Sequence, residues 1–445
     1  MHFRLGIRAG LDRWLFAVVA ALVSIDVLMS AIQFAGGVSL PPGVVRVFDL
    51  ALEGSMPTWY SSAQLLLATG LLAVIASRKL AVRDSHRLAW LGLTIGFAFL
   101  SLDETASLHE EWGLLLRGVV RREGIFYFRW TIIALALMPV LLITFWSFLA
   151  SLPRRTRLEM IAAGAVFLSG AVGLELVTGF MASRGSQQSF AYALVNAGEN
   201  GLELLGIAML VGTLLRYQGE SSGTSYLDIS FRASSLARFL AASIALLLAA
   251  SVSISLLTGR GVDVPSVVSR SFDVMQERNI PTWFSSMLLA VGAVTCALIA
   301  RARRALWREV AFGWSALAAI LLLLSIDEVT ELHEALAAWI QGHASGNEFT
   351  WPAVAGLLAA APMASGLAWI RRHPVDLRRA LGIAAGTFYS GALLCPIVAS
   401  LLQSVGITRG LVTIGVLGEG LEMTGSAYLI VVLARHFGSP DVPDA

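Results

Sequence analysis

Apolar runs of about 20 residues recur along the whole chain, separated by short polar or arginine-bearing segments. A run of that length crosses the hydrocarbon core of a bilayer as one helix. The pattern predicts twelve spans, at roughly 13–35, 57–77, 87–112, 128–150, 158–183, 190–216, 235–257, 281–300, 306–339, 351–370, 378–403 and 409–435. The ninth is too long for one crossing, so its ends are expected in the interfaces. The first follows Arg4, Arg8 and Arg13. It is too long, and too polar at Asp26, for a cleaved signal sequence, and it reads as a span.

The polar positions repeat as well as the apolar ones. "FDLALEGSMPTWYSS" at 48–62 matches "FDVMQERNIPTWFSS" at 272–286, and the same offset carries Asp103 onto Asp327 and His109 onto His333. "FRW" at 128–130 matches "FTW" at 349–351, and "NGLELLG" at 200–206 matches "EGLEMTG" at 419–425. Turn and charged residues match here, so the pattern reads as a tandem duplication. The fold class it predicts is an all-α integral membrane protein with about twelve transmembrane helices as two tandem six-helix repeats. Residues 1–216 form the first repeat, the Ser/Gly-rich 217–234 a cytoplasmic linker, and 235–445 the second. An even number of spans per repeat puts both in parallel orientation, related by an axis along the membrane normal.

Composition agrees: 56% of the 445 residues are hydrophobic and 14% are charged, against about a quarter charged in soluble domains. Arginines cluster at 78–87, 154–157, 301–308 and 371–379. The positive-inside rule makes those loops, the linker and both termini cytoplasmic. Net charge of +2 says nothing about partners, and no basic patch with interleaved aromatics points to nucleic acid. The expected partners are the lipid bilayer and a small ion or small-molecule substrate. Cys296 and Cys395 lie in apolar runs and read as packing residues.

Against that apolar background the acids stand out. Asp103, Glu104, His109 and Glu110 close one run, and Asp327, Glu328, His333 and Glu334 close its copy. Glu199 and Glu203 sit in the sixth span, Glu419 and Glu422 in the twelfth. Helical rise places the third-span and sixth-span acids at similar depth in the outer half of the membrane. Ionisable groups there are costly and read as functional. On an unbroken helix Asp103 and Glu110 share a stripe, while Glu104 and His109 point to opposite sides of it. Asp49 and Glu53, matched by Asp273 and Glu277, sit at i, i+4 and suit a short surface helix, with Pro57 or Pro281 opening the next span. The bland alternatives are hydrated helix ends and, for Glu203, a partner for Arg129.

The set suits a divalent metal ion of unspecified identity or a proton, and the expected function is ion-coupled transport. A metal-dependent membrane enzyme and a structural or sensory subunit of a membrane complex are the alternatives. The duplicated S-[LI]-D-E-x4-H-E motif, with P-T-W-[YF]-S-S before it and a Gly-Leu-Glu stretch after it, resembles uncharacterised bacterial multipass membrane proteins over most of each half. That resemblance implies a bacterial cytoplasmic membrane and no particular activity.

Overall fold

The computed structural model describes residues 2–6, 10–34, 42–222, 226–230, 232–303, 308–333, 369–407 and 410–437, with residues 37 and 335. It is helical, and eleven helical stretches among the described residues are long and apolar enough to cross a membrane. They cover the expected spans except the one at 351–370, which lies outside the described residues but for its last two positions, as does Glu334. Two compact units divide the chain: Gly6–Leu227, and Asp228–Ala445 with Met1–Leu5.

In the first unit α1 (Leu11–Phe34) leads through the short α2 (Pro42–Phe48) into α3 (Met56–Ala81). Then come α4 (Arg87–Ala106), the short α5 (Leu108–Leu115), α6 (Trp130–Ser151), α7 (Arg154–Leu168), α8 (Glu175–Ser183) and α9 (Phe190–Ser222). A π-helical turn, Ser169–Leu174, joins α7 to α8 within one span. In the second unit α10 (Ala233–Gly259), α11 (Ser266–Phe272), α12 (Ile280–Arg303) and α13 (Arg308–Thr330) are followed by α14 (Val375–Tyr389), α15 (Cys395–Ser404) and α16 (Leu411–Phe437). A second π-helical turn, Ser390–Leu394, joins α14 to α15. The segment expected as a linker begins inside α9 and holds the strand Tyr226–Ser230, which pairs with His2–Gly6.

The Pro-Thr-Trp motif is a helix start. Ser55 Oγ accepts the Thr58 N–H at 3.3 Å, with Pro57 in the first turn of α3. Asn279 Oδ1 does the same for the Thr282 N–H at 3.1 Å, ahead of Pro281 in α12. Each cap satisfies one of the donors that a helix start leaves open.

Small residues then lock the site-bearing helices together. Ser62 Oγ donates to the Ser101 carbonyl at 2.6 Å, and Ser101 Oγ returns the bond to the Ser62 carbonyl at 2.8 Å. Ser286 and Ser325 exchange the same two bonds, each at 2.7 Å. Ser62, Ser101, Ser286 and Ser325 are wholly buried. Only a short side chain lets two helices approach this closely. By contrast α6 buries only Thr131 and Phe148, and Leu135, Leu137, Val140 and Ile143 face outward, as lipid contact requires.

Two expectations are corrected. Asp49 and Glu53 are not on a helix, since α2 stops at Phe48. Asp49 Oδ1 instead accepts the Ala51 N–H at 2.8 Å, and Asp273 Oδ1 accepts the Met275 N–H at 3.0 Å just beyond α11. Such local bonds compete with helix and end it. The third span also ends at Ala106, not at 112, because Ser107 is left-handed, with φ 49°.

Candidate functional site

The break at Ser107 builds the site. Ser107 donates its N–H to the Asp103 carbonyl at 2.7 Å, closing α4, and its positive φ turns the chain back. His109 therefore lands on Asp103: its N–H donates to Asp103 Oδ1 at 2.8 Å, and its Nδ1 lies 2.9 Å from Oδ2. The second unit repeats the arrangement. Glu331 is left-handed at φ 53° and donates its N–H to the Asp327 carbonyl at 2.8 Å. His333 sets its N–H 2.9 Å from Asp327 Oδ1 and its Nδ1 2.9 Å from Oδ2. One carboxylate thus begins the next helix and fixes an imidazole. The bond at Nδ1 fixes the ring orientation, as a second-sphere carboxylate does for metal-ligating histidines.

A left-handed turn facing this break supports it. In the second unit it is Arg278, φ 59°, whose Nε donates to Glu331 Oε1 at 3.1 Å. The first unit has Gly54 there, φ 72°, which adopts that conformation without a Cβ penalty.

Glu53 and Glu110 converge on His109, and one ligand atom from each of the three lies within 4.8 Å of the others. Ser107 donates its hydroxyl to Glu53. Burial pushes the Glu53 carboxyl from 4.5 up to about 7, with the His109 charge pulling the other way. Burial also works against charging His109. The Asp103 hydrogen bond and the charges of Asp103, Glu53 and Glu110 outweigh it and hold the imidazole near 10. Burial raises Asp49 as well, opposed by the Ala51 N–H.

The third-span and sixth-span acids meet. Ser61, Glu104, Asn200 and Glu203 line one small cavity between α3, α4 and α9, and the Ser61 hydroxyl bonds Glu104. In the second unit Glu328 lies within charge range of Glu277, Glu419 and Glu422. There the Thr282 hydroxyl donates to Glu277 at 3.3 Å.

Other acids go elsewhere. Glu199 faces α8, where its carboxyl group comes within hydrogen-bonding reach of Glu175 and accepts from Thr178 Oγ1 at 2.8 Å. Glu175 Oε1 accepts from Trp130 Nε1 at 3.1 Å, and the Trp130 ring meets His109 edge-on at 4.9 Å. In the sequence Glu175, like Asp26, has no secure counterpart in the other half and reads as a local feature.

Glu199 and Glu419 are also not equivalent. A Cβ on Gly170 would meet the Glu199 carbonyl and Glu203 Cγ, and one on Gly391 would meet the Gly418 carbonyl and Glu422 Cγ. Glu199 thus corresponds to Gly418, and Glu419 to Asn200. Asp26 Oδ1 accepts the Leu50 N–H at 3.2 Å; in the second unit Ser251 Oγ takes the Val274 N–H at 3.2 Å, a neutral residue doing the same work. Arg129 Nε donates to the Val120 carbonyl at 2.8 Å. His373 packs among Trp314 and Trp369, away from the acids.

No curated protein and no solved structure matches the chain. One family model matches residues 14–217 and 239–437, and its description is a domain of unknown function, DUF8692. The matched segments hold both Asp–His pairs and all four sixth- and twelfth-span glutamates, so the chain belongs to the DUF8692 family.

Proposed function

We propose that this protein couples a cation or a proton to transport across a bacterial cytoplasmic membrane, through acid–imidazole clusters in the outer half of two tandem six-helix repeats. In this reading the arginine-rich loops and both termini are cytoplasmic, and the repeats are inserted in the same orientation. The supporting observation is the pair of Asp–His units, Asp103–His109 and Asp327–His333, each formed at a left-handed helix break.

Each unit holds its imidazole against an aspartate through Nδ1. In the first, Glu53 and Glu110 converge beside it, and Glu104 and Glu203 line a cavity on neighbouring helices. Carboxylates with one imidazole suit a hard or borderline divalent cation. Such ligands must shed protons to bind it, which ties cation occupancy to proton release.

The test is flux in proteoliposomes. An imposed Mn2+ gradient should drive opposite proton movement, read by an entrapped pH dye, and Asp103→Asn with Asp327→Asn should abolish it. Absence of flux in the unaltered protein would overturn the transport reading. A second reading is favoured by the convergence of Glu53, His109 and Glu110 alone: a metal-dependent membrane enzyme whose ion activates water. A transition metal that survives chelator washing at fixed stoichiometry, measured by elemental analysis, would favour it.

A further inference from the structure

We infer that Glu175 and Glu199 hold one shared proton, at a site of the first unit that the second unit lacks. An ionised carboxylate has acceptors only. Two ionised carboxylates therefore cannot hydrogen-bond each other, and the Glu175 and Glu199 carboxyl groups lie within hydrogen-bonding reach of each other. Their outer oxygens are served by neutral donors, Trp130 Nε1 on Glu175 at 3.1 Å and Thr178 Oγ1 on Glu199 at 2.8 Å. The Thr178 hydroxyl also lies 3.2 Å from the Leu174 carbonyl and 3.1 Å from the Glu175 carbonyl, but its shortest contact is the glutamate. The remaining bond is O–H to carboxylate oxygen, with one proton and one negative charge between the two groups.

Two helices hold the pair. Glu175 opens α8 directly after the π-helical turn Ser169–Leu174, Thr178 lies one turn on, and Glu199 reaches across from α9. π turns concentrate at functional sites, and this one carries Gly170 against the Glu199 carbonyl. The groups facing the pair are Glu203 from α9, His109 beyond Trp130, and Tyr192 from α9.

The matching π turn, Ser390–Leu394, leads into Cys395 and Pro396. Aligning the two Ser-Gly pairs, and the two Gly-Leu-Glu stretches, puts Pro396, Ala399 and Gly418 where the first unit has Glu175, Thr178 and Glu199. None of the three can titrate. The proton site therefore belongs to one half, and it stands whether or not the outer clusters carry a cation.

The experiment is infrared spectroscopy of the full chain in lipid nanodiscs at neutral pH, in H2O and D2O. Unaltered protein should show a protonated-carboxyl C=O band that moves on deuteration. Glu175→Gln and Glu199→Gln should each remove it, because the introduced amide donates to the remaining carboxylate. A difference spectrum in which either substitution removes no protonated-carboxyl intensity, or no such band in the unaltered protein, overturns the inference. Thr178→Val leaves both acids in place. It should shift the band without removing it, and an unmoved band there would equally contradict a pair held by the Thr178 hydroxyl.

Discussion

Asp103→Asn is the sharpest perturbation of the site. The asparagine keeps an oxygen for the His109 N–H but turns an amide N–H2 toward Nδ1, in place of a charged acceptor 2.9 Å away. His109 then loses its hydrogen-bonded counter-charge while keeping the burial that disfavours its charged form. An opposite charge at this range moves a pKa by about 1–3 units, worth about 1.4–4 kcal/mol. The rise from 6.5 to about 10 is what remains after burial has opposed it, and the 26% exposure of the His109 side chain screens the Asp103 contribution toward the lower end of that range.

The sign follows from the raised value. The native state holds the proton more tightly than the unfolded chain, so this stability is fully present below about 6.5 and is lost as pH rises through about 10. In chelator-treated protein, imidazole nitrogen NMR should show His109 titrating well below its value in the unaltered chain, with a lower melting temperature near pH 6. If His109 titrates identically in both proteins, Asp103 does not hold it and the reasoning fails.

Ser62→Ala should cost about 1 kcal/mol in melting experiments, for one exchanged hydrogen bond, and Ser286→Ala the same. Ser62→Leu should cost more, since the site is wholly buried and overpacking costs about 1–3 kcal/mol. Raising pH on ion-free protein should lower its melting temperature in two stages. Glu53, raised to about 7, contributes stability present below about 4.5 and lost as pH rises through 7, and His109 contributes the later loss; Glu53→Gln should flatten the first stage alone. Asp26→Ser should be tolerated within about 1 kcal/mol, because Ser251 takes the matching N–H in the second unit; a larger loss would give Asp26 a role beyond anchoring Leu50.

The membrane-spanning helices were legible because apolar runs of spanning length have few other uses, and eleven of the expected spans have helical counterparts. The chemistry-bearing residues were legible from their recurrence. Their geometry was not. Helical periodicity assumes an unbroken helix, which separates His109 from Glu104, and nothing in Thr105-Ala106-Ser107 announces a left-handed residue. Glycine would have flagged it, but the two copies use Ser107 and Glu331.

Asp49 and Glu53 misled in the other direction. Their i, i+4 spacing suits a helix, but an Asp just past a helix end bonds its own backbone two residues on. Glu175 reads from the sequence only as a local feature, because it occurs in one half and recurrence lends it no weight. Its signal was available as an acid in an apolar run beside Thr178.

The central claim is that the Asp–His units organise a cation site, and equilibrium binding tests it most directly. Calorimetric titration of Mn2+ and of Zn2+ into ion-free protein in nanodiscs should give saturable binding whose heat varies with buffer, the mark of proton release. Asp103→Asn with Asp327→Asn should weaken that binding about 10–100-fold, as loss of an orienting carboxylate does elsewhere. Unaltered protein that binds neither ion, or a double variant that binds as tightly as the unaltered chain, would contradict the account.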